Sequence, residues 1–182
     1  MQEIKTIYKV GNNYKLVRLE DEYKYQKDLT DRLDLIKSEF DQSIINEIVL
    51  WKVNRYAKIT DEGLLLINKI DRNNSEINID LTKEILQNLL NTPGIRIALA
   101  STILRFKNPD IYQIIDQRVY RFIHPNGEEL KNSTDNNKQI SLYLEYLDRL
   151  HEVCMSYNIP FKDSDRILYI MDKDSNKEYK LK

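Results

Sequence analysis

Asp116 is the acidic side chain best placed in this sequence to act on a substrate. It stands in Ile115-Asp116-Gln117-Arg118-Val119-Tyr120-Arg121, shortly after the break Asn108-Pro109-Asp110. An aspartate at that register opens a helix, because its side chain accepts backbone N–H bonds as an N-cap. The helix dipole favours negative charge at the same point. A carboxylate held ionised there can also stabilise a developing positive charge and orient a water towards it. Capping alone and capping with catalysis are both open at this stage. Arg96, Arg105, Lys107, Arg118 and Arg121 stand nearby in sequence and form a candidate basic face, with plain solvated surface as the alternative for each.

Other chemistries lack their residues. His124 and His151 have no metal-ligand spacing, and no phosphate loop, dinucleotide fingerprint or Ser-His-Asp signature is present. Cys154 is the single cysteine, which excludes a disulfide framework and a four-cysteine iron–sulfur cluster. Its apolar helical setting reads as a buried, inert thiol. No metal site is expected. The formal net charge of the 182 residues is −1, so contact with nucleic acid would need a local basic face rather than a global one. Hydrophobic residues are 41% and charged residues 31%, the balance of a globular domain rather than a disordered chain. There is no apolar N-terminal leader and no membrane-spanning run, so the expected location is cytoplasmic.

The elements that must position Asp116 follow from periodicity. Thr92-Pro93-Gly94 is a turn, since glycine permits positive φ and proline fixes its own. Ile97, Ala100, Ile103, Leu104 and Phe106 then recur as a buried helix would require. A helix with Leu81, Ile85, Leu86, Leu89 and Leu90 inward, capped by Asp80 or Thr82, feeds the turn. Upstream, helices carry Leu29, Leu33, Leu35, Ile36 and Phe40; then Ile44 to Leu50, capped near Asp41; then Leu64 to Ile70. Downstream, helices run from about Gln139 to Ser156 and from Asp163 or Ser164 onward. Residues 1–20 alternate as a small β-hairpin would. The charged stretch 172–182 reads as a flexible tail. The expected fold is mostly α, one domain over 1–182.

Thr92-Pro93-Gly94-Ile95-Arg96-Ile97-Ala98 and Ile115-Asp116-Gln117-Arg118-Val119-Tyr120-Arg121, with Asp116 eighteen positions after Ala98, resemble the helix-hairpin-helix DNA glycosylase superfamily. That superfamily includes endonuclease III and the 8-oxoguanine glycosylases. Its pattern is Leu-Pro-Gly-Val-Gly-x-Lys, a helix, a turn, then Val-Asp-Thr-His-Val-x-Arg. The resemblance implies a helical glycosylase-like fold and Asp116 as the catalytic carboxylate. It also implies a hairpin, Pro93, Gly94, Ile95, Arg96 and Ile97, that grips double-stranded DNA with Arg118 and Arg121. A structural monovalent cation on the hairpin carbonyls is implied too, and no other cofactor. Two departures stand out. Ala98 replaces the family's Schiff-base lysine, and an alanine cannot form that intermediate. Arg96 replaces the second hairpin glycine.

The function implied is hydrolytic excision of a damaged or modified base from DNA, without the usual β-lyase step. Such an enzyme extrudes its target base into a pocket with an aromatic or apolar wall. Trp51, Tyr56, Phe161 and Tyr169 are wall candidates by type, with Arg55 beside Trp51. A core or domain-boundary tryptophan is the plainer reading of Trp51. A mutual salt bridge is the plainer reading of Asp165 and Arg166. The alternatives are a catalytically inactive DNA-binding or protein-interaction module on the same scaffold, and a helical interaction domain that shares the motif by accident. The base itself is not legible.

Overall fold

The computed structural model of the chain describes residues 26–37, 39–53, 56–124, 128–131 and 133–179. Every regular element among them is helical. The expected β-hairpin at 1–20 lies outside the described residues. The chain divides into two compact units, Met1–Tyr56 and Ala57–Lys182, where the sequence reading ran one domain throughout.

In the first unit, α1 (Lys27–Asp34) packs with α2 (Gln42–Lys52). Asp41 caps α2 as expected, its side chain accepting the Ile44 amide at 2.9 Å. The anticipated apolar face of α1 is cut short. Leu29 is its buried residue, and Leu35 and Phe40 lie exposed beyond its end.

The second unit contains α3 (Asp61–Asn68), α4 (Ile79–Asn91), α5 (Ile97–Lys107), α6 (Gln117–Ile123), α7 (Asn136–Tyr157), a 3-10 turn (Phe161–Asp163) and α8 (Ser164–Ser175). α4 packs on α3, α5 and α7; α7 also touches α5 and α6; α6 lies along α8. The helices form because their apolar residues repeat on one side. α4 buries Thr82, Ile85, Leu86 and Leu89, and α7 buries Ile140, Tyr143, Leu147, Leu150 and Cys154. The cap of α4 differs from expectation: Asn78 holds the Leu81 amide at 3.0 Å, and Asp80 falls inside the first turn. Asn outranks Thr as a cap, and its position one turn earlier lengthens the helix. The helix α8 extends into the first residues of the charged stretch 172–182. α8 continues through Ser175 because Asp172 is fully buried against two arginines. Among the described residues no helix is long and apolar enough to cross a membrane.

Candidate active site

The site is built between the end of α5 and the start of α6. Asn108 stops α5 and is fully buried. Its Nδ2 donates to the carbonyls of Asp71 and Asn74, each at 2.9 Å, and its Oδ1 accepts the Asp110 amide at 3.0 Å. The Asn-Pro-Asp break is thus tied to the loop between α3 and α4. The chain then runs without helix from Tyr112 to Asp116 through the protein interior.

Asp116 is the N-cap of α6. Its Oδ1 accepts the Arg118 amide at 2.7 Å and the Val119 amide at 3.4 Å. Both bonds fall on one oxygen, and among the described residues Oδ2 accepts none. Capping therefore leaves half of the carboxylate uncommitted. Ile114, Asp116, Asp165, Arg166, Tyr169 and Ile170 line a cleft of about 310 Å³. The structure thereby joins Asp116 to Tyr169, two residues expected in one site.

Asp165, in the first turn of α8, brings a second carboxylate to this cleft and is only 5% exposed. The salt bridge expected with Arg166 gives way to another arrangement. Asp165 Oδ1 accepts the Arg166 amide at 2.8 Å, and Oδ2 faces Arg105 Nε at 3.8 Å. That distance is an ion pair without a hydrogen bond. Arg105 is buried, and its Nη2 donates to the Lys162 carbonyl at 3.1 Å.

Arg118 donates from Nη1 to Asp172 Oδ2 at 3.2 Å, and its guanidinium lies 5.7 Å from the Tyr169 ring centroid. Arg118 thus donates its amide to the Asp116 cap and backs the aromatic wall with its side chain. Arg121 is placed differently from the expected DNA contact. Its Nε and Nη2 grip both oxygens of Asp172 at 3.0 and 2.7 Å, and its Nη1 donates to the Tyr179 carbonyl at 3.1 Å. The side chain is buried because it neutralises a buried charge, so it presents nothing to a phosphate. Burial alone pushes the Asp172 carboxyl up. The hydrogen bonds from Arg121, Asn176 and Arg118, with the Arg121 charge, outweigh it and hold the group below its ordinary value.

The hairpin joins α4 to α5. Gly94 adopts φ +86°, a region open to glycine, and the Ile95 amide donates to the Thr92 carbonyl at 3.1 Å. Ile95 and Ile97 point inward; Pro93, Gly94 and Arg96 are exposed. No side chain among the described residues caps α5 at Arg96, so its first-turn amides are left open to an outside acceptor. The basic face is thinner than expected. Arg105 and Arg121 are buried, Arg118 is engaged by Asp172, and Lys107 Nζ donates to Asn68 Oδ1 at 2.8 Å. Of the five expected cations, Arg96 alone is exposed without a polar partner among the described residues.

Of the other wall candidates, Phe161 is the one that shares this unit, and it does not line the cleft. Phe161 packs against the core with its ring 5.5 Å from His151. Trp51 belongs to the first unit, where its Nε1 donates to Thr30 Oγ1 at 2.9 Å. It is half-buried rather than a core residue. Tyr56, also in the first unit, lies under Arg32 at 5.7 Å, and Arg55 falls outside the described residues. Cys154 is buried, which pushes its thiol up. No group of three or more His, Cys, Asp and Glu among the described residues is arranged to hold a metal.

Sequence reasoning places Tyr143 and Tyr146 inward but misses the partners of their hydroxyls, and it misses the burial of Ser101 and Asp172. The two tyrosines carried a usable signal: both fall on the inward face of α7, and a buried hydroxyl must find a partner. Comparison of the chain with protein-family models, with curated proteins and with solved structures finds no match.

Proposed function

We propose that this chain is a monofunctional DNA N-glycosylase built on a helix-hairpin-helix scaffold. The observation that carries the reading is Asp116 Oδ2, which accepts no hydrogen bond among the described residues, in a cleft walled by Tyr169. A target base turned out of the duplex stacks on Tyr169, with its sugar against Asp116. The C1′–N bond breaks, and its electron pair leaves with the base. Asp116 Oδ2 stabilises the cationic sugar and orients a water. That water forms the new C1′–O bond, and its proton ends on the departing base. Ala98 supplies no amine, so the reaction stops at the abasic site.

The hairpin supports one strand through the uncapped amides at the start of α5 and through Arg96. A monovalent cation on the hairpin carbonyls belongs to the proposal without a role in any step. The Thr92 carbonyl already accepts the Ile95 amide and that of Arg96 the Ala100 amide, so the carbonyls between them are the ones offered to it.

One observation favours a second reading. The basic face reduces among the described residues to Arg96, which suits a catalytically inactive DNA-binding or protein-interaction module on the same scaffold. The discriminating experiment is single-turnover base release from a panel of duplexes, each with one lesion, followed by alkali to cleave abasic sites. Release from at least one duplex, with strand cleavage only after alkali, supports the glycosylase. Strand cleavage before alkali removes the monofunctional assignment. Absence of release across the panel gives the scaffold to the second reading.

A further inference from the structure

The stretch Tyr112 to Asp116 has no helix of its own, yet Tyr112, Gln113 and Ile115 are almost fully buried. Buried backbone outside regular structure must find partners among side chains. Here the partners come from two helices, in consecutive order. Tyr143 Oη of α7 donates to the Gln113 carbonyl at 3.0 Å. Tyr146 Oη, one turn on, donates to the Ile114 carbonyl at 2.8 Å. The Ile115 amide donates to Ser101 Oγ of α5 at 3.2 Å, and that hydroxyl donates its own proton to the Ala98 carbonyl at 2.9 Å. Tyr112 adds a contact to a third helix, its Oη lying 2.6 Å from Thr82 Oγ1 of α4. Ser101, Tyr143, Tyr146 and Thr82 are each 0–1% exposed.

We propose that Ser101 and Tyr146 are positioning residues that set the reach of Asp116 Oδ2 into the cleft, an inference that rests on the glycosylase reading above. The Asp116 side chain is steered at two ends. The amides of Arg118 and Val119 hold Oδ1 from the α6 side. Ser101 and Tyr146 hold the two residues on its other side. Ser101 also takes its bond on the helix that leaves the hairpin, so the hairpin and the carboxylate share one rigid support. An error of about 1 Å in a reacting group costs about a hundredfold in rate. Both tyrosines are pushed well above their ordinary value by burial, so they stay hydrogen-bond donors throughout the working range.

The test is single-turnover base release by wild type, Ser101→Ala, Tyr146→Phe and Tyr143→Phe, each at saturating and sub-saturating duplex, with thermal melts of each. The clamp predicts a gradient with distance from Asp116. Ser101→Ala loses about tenfold or more in rate at saturation, and Tyr146→Phe about fivefold. Tyr143→Phe stays within about twofold although it removes an equally buried hydroxyl. The duplex concentration giving half-maximal rate is unchanged in all three. Rates that follow the melting temperature rather than the distance from Asp116 overturn the positioning role. So do full rates in Ser101→Ala and Tyr146→Phe. A wild type that releases no base is a different outcome: it removes the glycosylase reading and this role with it. If Ser101→Ala does not fold, Tyr146→Phe against Tyr143→Phe decides.

Discussion

Asp172 shows how a charged residue in this protein can be structural while a neighbour, Tyr169, lines the cleft. Its carboxylate is fully buried and gripped at both oxygens by Arg121, with Arg118 and Asn176 adding bonds. Removing one partner of such a pair leaves an uncompensated buried charge. Arg121→Met is therefore expected to cost about 3–5 kcal/mol in urea unfolding. The folded carboxyl lies below its ordinary value of 3.8, so its stabilisation is present above that pH and is lost as pH falls through the lowered value. Acid titration of wild type against Asp172→Asn checks this: the wild type alone should show that loss below the ordinary carboxylate range. Asp116 was legible in the sequence because capping is local, read from Asp followed by a helical register. Asp172 was not, because Arg121, its main partner, stands 51 positions away. Asp165 was misread for the same reason: its adjacent arginine was the obvious partner, and the structure supplies Arg105 from another helix.

The helices themselves were mostly legible, since amphipathic spacing is a property of each segment alone. α5 was anticipated from Ile97 to Phe106 and runs Ile97–Lys107. α6 begins after Asp116 as expected. What one segment cannot reveal is how another packs on it. Gly63 lies buried in the first turn of α3. A Cβ there would meet Asn88 Oδ1 at 2.5 Å and Ile59 Cγ2 at 2.9 Å. Its absence lets α3 approach α4 closely. Gly63→Ala is expected to destabilise by about 1–3 kcal/mol, read from denaturant midpoints, because overpacking outweighs the gain in helix propensity. Unchanged or raised stability would show that Asn88 turns aside at no cost. The linker Tyr112 to Asp116 was the least legible element. It has no periodicity, and its order comes from hydroxyls on α5 and α7.

At the scale of the whole molecule, the near-neutral net charge and the thin basic face set how any duplex would be held. Amides release no counterions, so the grip rests on very few cations. Duplex affinity is expected to fall with a log–log salt slope no steeper than about −2, measured by anisotropy between about 50 and 200 mM salt. A slope near about −6 would reveal a basic surface larger than Arg96 and its four neighbouring cations can supply. The central claim is narrower: the half-free carboxylate of Asp116 breaks a glycosidic bond. The direct measurement compares wild type with Asp116→Asn on a duplex the wild type processes. The asparagine keeps an acceptor oxygen for the α6 amides, so the fold should persist by circular dichroism and melting. The account predicts base release reduced by about a thousandfold or more, with duplex binding retained. Release within about tenfold of wild type by a folded Asp116→Asn protein would contradict it and leave Asp116 as a helix cap alone.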